Sequence, residues 1–252
     1  MAASSRGPVD DYRHEALSDV GSTNTECMER ARAGDPGYLW ITARRQLDGR
    51  GRRGRAWISE PGNLYASLLL IDPAPVAALA SLPMAVAVAL YRAIRAEMPF
   101  AGERVAIKWP NDILIDGKKV SGILIEGEPL ADGRQAVVIG CGINILHKPD
   151  NPLYPTMTLA EAGSTATVDS LFAHLFREMA EVLAAWNGGQ GLAAIVREWR
   201  AHVRGIGELI TVNLPDRSLS GRFVDIGEDG LLQLELPDGE RRWIASGDVF
   251  FS

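Results

Sequence analysis

Hydrophobic and polar positions along this chain change period several times, and each change marks a different kind of element. Over 169–186, Leu171, Leu175, Met179 and Val182 fall on one face at helical spacing. Gly188-Gly189 ends that stretch, and 192–203 carries another helical pattern. Residues 79–97 are apolar nearly all round, which predicts a helix buried on most sides. A short helix over 25–33 follows the capping residues Ser22-Thr23-Asn24 and stops at Gly34-Asp35-Pro36-Gly37. Runs at 38–42, 63–71, 104–108, 112–115, 119–126 and 136–145 read as strands, and Asp116-Gly117 predicts a tight hairpin between two of them. Residues 151–166 form a proline- and threonine-containing connection. From Gly207 the texture becomes short strands, at 209–214, 221–226, 231–236 and 241–245, with Pro-Asp and Asp-Gly turns between them. The expected organisation is a flexible polar arm over 1–15, a mixed α+β domain over 16–204 and a small barrel-like domain over 205–252.

Composition adds bounds. The chain has 252 residues, 46% hydrophobic and 23% charged, which suits a well-packed core. A formal net charge of −6 disfavours a general nucleic-acid binder. Cys27 and Cys141 support neither a disulfide framework nor a cysteine-rich metal site, and are expected as buried thiols. The first fifteen residues lack the apolar run of a signal peptide, and the apolar run over 79–90 is too short for a bilayer. A cytoplasmic location is the resulting expectation, with no membrane partner.

Against this acidic background, residues 44–55 hold six arginines and one aspartate. A solvated basic loop or a nucleic-acid patch is the plain alternative. Glycines at 49, 51 and 54 alternate with the arginines and allow close backbone approach to a ligand. The flanks are apolar, with Trp57 just after. An acidic protein would repel a long polyanion, so a small anion such as a carboxylate joined to a phosphate fits better, with loop closure over it.

Lys108-Trp109-Pro110-Asn111-Asp112 lies between two short strands. A turn with Trp109 in the core accounts for it structurally. Lys119 sits on the return strand of the hairpin, three residues before Gly122. Gly140-Cys141-Gly142-Ile143-Asn144 again removes side chains from a strand, but no helix follows it as a dinucleotide fingerprint requires.

Taken in order, these segments resemble one family. Residues 49–55 with Trp57 resemble the biotin-binding loop of the biotin–protein ligases. Residues 108–114 resemble their central signature, and 119–126 the strand bearing their essential lysine. Ser22-Thr23-Asn24, Gln46, Asn63-Leu64-Tyr65 and 140–144 match further segments in order. The resemblance is close over about 18–146, and the C-terminal part matches only in pattern. It implies a mixed-sheet, class II synthetase-like catalytic domain followed by an SH3-like β-barrel, and an ATP-dependent ligase that makes biotinyl-5′-AMP.

By the same resemblance, Ser22, Thr23, Asn24 and Gln46 would bind biotin, with Gly122 and Ile123 along its wall. Gly49, Arg50, Gly51 and Arg52 would close over its carboxylate and the α-phosphate, and Lys119 would bridge those anions. Arg52, Arg53, Arg55, Trp57, Lys119 and Asn144 would contact the nucleotide. Lys119, Arg52 and Asp112 are the expected catalytic residues, Asp112 assisting the attacking lysine. ATP, Mg²⁺ with unassigned ligands, and a biotin carboxyl carrier protein are the implied reactants and partner; a homodimer through a sheet edge is plausible. Arg44-Arg45 stand where relatives often carry an acidic residue. Only about 20 residues precede Ser22, too few for the helix-turn-helix of the repressor forms, so no specific DNA target is expected. A lipoate–protein ligase is the nearest enzymatic alternative, and a non-catalytic biotin-sensing or nucleic-acid-binding module the alternative of another class.

Overall fold

A computed structural model describes residues 9–150 and 152–251. In chain order the elements are β1 (Arg13–Val20), α1 (Thr23–Arg32), β2 (Leu39–Gln46), β3 (Leu64–Ile71), α2 (Val76–Leu79) and α3 (Leu82–Glu97). Then come β4 (Val105–Lys108), β5 (Asp112–Ile115), β6 (Lys118–Pro129), β7 (Gln135–Ile143), α4 (Val168–Trp186) and α5 (Leu192–His202). The chain ends in β8 (Leu209–Asn213), β9 (Ser218–Ile226), β10 (Leu232–Glu235), β11 (Arg241–Ile244) and β12 (Asp248–Phe251).

The first seven strands form one mixed sheet in the order β1-β2-β3-β7-β6-β5-β4. Only the β1–β2 pair is parallel, and α1 supplies the crossover that a parallel pair needs. Strand alternation divides the core. Trp40, Leu68, Leu70, Val137 and Ile139 point to the face covered by α3, α4 and α5. Leu39, Ile41, Leu69, Ala136 and Val138 point to the other face, where Cys27, Met28 and Ala31 of α1 cover them. Burial on both faces explains why β3 reads as an almost unbroken apolar run. Both cysteines are free and buried, and burial pushes the Cys141 thiol up to about 12.

Three expectations change. Strand β1 occupies 13–20, so residues 13–15 of the expected arm belong to the sheet; residues 1–8 lie outside the described residues. As an edge strand exposed along most of its length, β1 carries little apolar signal. The expected helix over 79–97 is two helices, because Pro83 has no N–H to donate and is tolerated only in a first turn. The C-terminal strands form a five-stranded antiparallel sheet, β11-β10-β9-β8-β12, which gains the unexpected β12. Among the described residues its end strands β11 and β12 do not pair, so it is an open sheet and not a closed barrel. No helix among the described residues is long and apolar enough to cross a membrane.

Candidate functional site

The site is built on the α1 face of the large sheet. Cross-strand register places Tyr65, Gly142, Gly122, Asp112 and Lys108 in one row over β3, β7, β6, β5 and β4. Neighbours in such a row face the same way, so the two glycines leave a trough between Tyr65 and Asp112. The Trp57 ring lies in it: a Cβ on Gly142 would stand 2.6 Å from the indole. The indole Nε1 is buried without a hydrogen-bond partner.

Lys119 reaches this face only through an irregularity. It lies three residues from Gly122, and in a regular strand those two residues point to opposite faces. The β5–β6 register shifts between Ile113 and Leu114, and this bulge turns Val120 into the helix-side core and Lys119 to the trough. Its Nζ pairs with Asp112 Oδ1 at 2.7 Å, 3.4 Å from the Tyr154 hydroxyl and 5.5 Å from the Trp57 ring centre. Burial works against the ammonium, but the Asp112 carboxylate, with Tyr154, outweighs it and holds Lys119 above the ordinary lysine range.

At the other end of the trough, the start of α1 forms a polar nest. Gln46 Oε1 accepts from the Thr23 N–H at 2.9 Å and from its hydroxyl at 3.0 Å. The Ser67 hydroxyl lies 2.7 Å from Thr23 Oγ1 and 2.6 Å from Asn24 Oδ1. Asn24 Nδ2 donates to Glu126 at 2.7 Å. Ser22, Thr23 and Asn24 are all buried. Orphan N–H groups at a helix start and aimed side-chain dipoles suit a small polar head group.

The arginine loop closes one side as a small hairpin, with Arg50 bridged to Ala56 and the Gly51 N–H donating to Arg55 at 2.7 Å. Arg53 (φ 58°) and Gly54 (φ 68°) make its left-handed tip. Each arginine is held by a different part of the fold. Arg50 reaches Glu126 of β6 through two contacts at 3.0 and 3.2 Å, and Thr25 at 3.1 Å. Arg52 donates to Asn111 Oδ1 at 2.7 Å and to the Gly247 carbonyl at 3.4 Å. Arg53 and Arg55 converge on Asp248 of β12, at 2.9 and 2.5 Å. Burial, with Arg53 and Arg55 nearby, lowers the Arg52 guanidinium below its usual range against the pull of Asp248 and Asp112.

These groups enclose one cavity of about 320 Å³. Of the residues expected from sequence, Ser22, Thr23, Asn24, Gln46, Arg50, Gly51, Arg52, Arg55, Trp57, Asp112, Lys119, Gly122, Ile123 and Asn144 line it. Ile123 lines the cavity while its side chain also packs in the helix-side core, and its N–H donates to the Asn111 carbonyl at 3.2 Å. Gly49 and Arg53 are not among the lining residues. Gly49 packs under the returning loop, where a Cβ would meet the Trp57 carbonyl at 2.5 Å, and Arg53 turns outward to Asp248. Sequence reasoning missed Lys108, Tyr154 and Asp248 as cavity residues. The lone aromatic in the 151–166 connection was a usable signal for Tyr154, whereas Asp248 acts across 193 residues of chain and left none.

Residues 20–144 match the Biotin/lipoate A/B protein ligase family, and 205–252 match the Biotin protein ligase C terminal domain. The chain is 36% identical over 240 residues to the biotin–[acetyl-CoA-carboxylase] ligase of Paracoccus denitrificans, covering 93% of this chain and 99% of that one. It is 32% identical to the bifunctional ligase/repressor BirA of Bacillus subtilis, over 94% of this chain and 72% of the relative. Its fold resembles that of a biotin protein ligase from Aquifex aeolicus solved with biotin and ATP, with a TM-score of 0.82 and 24% identity over 95% of this chain and 99% of the other.

Proposed function

The chain belongs to the biotin protein ligase family, and we propose that it makes biotinyl-5′-AMP from biotin and ATP, then transfers the biotin to a lysine of a biotin carboxyl carrier protein. One observation carries this reading: the polar nest at the start of α1, the Lys119–Asp112 pair and Arg52 all open on the same cavity. A long neutral ligand with an acid at one end fits that order, its head group in the nest and its carboxylate at the cations.

In the first step a biotin carboxylate oxygen bonds to the α-phosphorus of ATP. The bond to the β-phosphate oxygen breaks, and pyrophosphate leaves with the electron pair. Two anions must meet, so fixed positive charge in a water-poor pocket lowers the barrier most. Lys119 acts as a point charge between carboxylate and phosphate, and Arg52 offers its fork from above. Trp57, its Nε1 lacking a protein partner, stands beside them for the nucleotide, with Asn144 behind. Among the described residues no three His, Cys, Asp or Glu side chains gather as a metal cage. Mg²⁺ entering with the triphosphate would supply charge neutralisation for this step.

In the second step the acceptor amine attacks the anhydride carbonyl, AMP leaves, and an amide forms with loss of one proton. The amine has to be neutral to attack. Asp112 is the carboxylate at the reacting end, placed to orient the amine or take its proton. A closed arginine loop keeps water from the anhydride until the acceptor arrives. We take the open C-terminal sheet as the SH3-like unit of the family, and a cytoplasmic location follows from the reaction's reactants.

The test is transfer of labelled biotin to a purified carrier domain, with ATP, Mg²⁺, biotin and acceptor omitted in turn and lipoate substituted for biotin. Product that forms without ATP, or from lipoate in preference to biotin, would refute this reading.

A further inference from the structure

Five cations line the cavity: Arg50, Arg52, Arg55, Lys108 and Lys119. Arg50 is paired with Glu126, Arg55 with Asp248, and Lys119 with Asp112. Among the described residues, Arg52 and Lys108 have no carboxylate within ion-pair distance, and Arg52 already serves the reading above. Lys108 is the unexplained one. It is only 8% exposed. Its ammonium stands 4.9 Å from the ring centre of Tyr154, 5.8 Å from Phe250 and 5.9 Å from Phe251. Ring faces stabilise a cation in part, but they do not replace its hydration or a counter-ion. Burial, with Lys119 and Arg204 as like charges nearby, pulls Lys108 below the ordinary lysine range despite Asp112 and Asp248. A fold that keeps such a charge in place has left room for an anion.

Position says which anion. In the cross-sheet row Lys108 follows Asp112 on the side away from the Gly122–Gly142 trough. The nest at the start of α1 marks one end of the ligand path, Lys119 its reacting middle, and Lys108 the far end beneath β12. From the geometry we infer that Lys108 binds the β- and γ-phosphates of ATP and holds the departing pyrophosphate. This deepens the ligase reading and rests on it. Lys108 makes no demand on the transfer half-reaction, in which the polyphosphate has already gone.

Biotin-dependent exchange of labelled inorganic pyrophosphate into ATP reads the first half-reaction directly. Lys108→Met is expected to raise the KM for pyrophosphate about ten- to hundredfold, the range for losing a hydrogen bond to a charged group. Transfer from preformed biotinyl-adenylate to a carrier domain should persist, and Lys108→Arg should recover most of the pyrophosphate affinity. Because methionine suits a box of three rings and removes an uncompensated buried charge, Lys108→Met is also expected to raise Tm. A merely structural lysine would show the reverse, with both half-reactions and Tm falling together. An unchanged KM for pyrophosphate in Lys108→Met, or equal damage to both half-reactions, overturns the inference and leaves the ligase reading standing. A wild-type chain with no biotin-dependent exchange overturns both.

Discussion

The Lys119 ammonium and the Asp112 carboxylate are each about one-tenth exposed, and among the described residues neither has another opposite charge in ion-pair contact. Removing one partner strands the other, which costs about 3–5 kcal/mol, whereas replacing both with neutral groups is close to neutral. Lys119→Ala is therefore expected to lose stability as well as adenylate formation, and the single variant cannot separate the two effects. Lys119→Met with Asp112→Asn should regain most of the lost stability in urea unfolding while adenylate formation stays about a hundredfold or more below wild type. Recovery of both together would remove Lys119 from the chemistry. The sign of the pH dependence also follows. The Lys119 pKa is raised in the folded chain, against burial and chiefly by the Asp112 carboxylate, so the stability that Lys119's own titration contributes is fully present below the ordinary lysine value and is lost only as pH rises through the higher folded value. Alkaline unfolding of the double variant should lack that loss. A second residue-scale test concerns Gly140. A Cβ there would stand 2.3 Å from Asn24 Oδ1, and Asn24 cannot retreat, because Ser67 and Glu126 hold its amide. Gly140→Ala is expected to weaken biotin binding about tenfold or more in calorimetric titration, the usual cost of overpacking.

At the scale of elements, the arginine loop is tied to three others: β6 through Glu126, the β4–β5 turn through Asn111, and β12 through Asp248. The Asp248 side chain is mostly buried and takes two guanidinium groups at once, so it fixes where the loop's tip sits. Asp248→Ala should leave the loop's lining residues intact but let the tip open, so bound biotinyl-adenylate should dissociate about tenfold faster in a chase with unlabelled adenylate. The same acceleration is expected for Arg53→Ala with Arg55→Ala, and combining all three should add little, since one interaction has been removed twice. Full additivity would show that the latch does not exist. Such a tie also marks what the sequence conceals. The loop, the hairpin at Asp116-Gly117, the apolar run of β3 and the buried α3 are local patterns and could be read along the chain. The residues called on by the site had a family order that made them recognisable. Strand β1 could not be read, because an exposed edge strand need not alternate. Nor could the face on which Lys119 emerges, because alternation from Gly122 points it into the core and only the bulge against β5 reverses that. Register between strands and contacts over nearly two hundred residues are properties of the packed state.

For the whole molecule, the main question is how firmly the C-terminal sheet sits on the larger one. One continuous apolar cluster runs through both: Val105, Ile107 and Trp109 of the large sheet belong to it with Ile210, Phe223, Ile226 and Val249 of the small one. The Trp109 indole donates to the Gly230 carbonyl at 3.2 Å, Arg200 of α5 pairs with Asp225 at 2.9 Å, and the Arg204 guanidinium lies 4.9 Å from the Phe251 ring centre. The same sheet supplies Gly247, Asp248 and Val249 to the cavity and two of the rings around Lys108. Docking and activity therefore rest on the same contacts. If they are as strong as a shared core implies, 205–252 will not melt first: calorimetry should give one transition whose van't Hoff and calorimetric enthalpies agree. The Trp109→Phe variant tests the coupling from one side. It keeps a ring in the core but loses the bond to the half-buried Gly230 carbonyl, at a cost of about 0.5–1.5 kcal/mol. That loss should fall on the joint between the sheets, splitting or broadening the transition and speeding adenylate release in the same variant. A variant that lowers Tm as a single sharp transition, with adenylate retention unchanged, would mean that the C-terminal sheet stabilises the fold without governing the closed cavity.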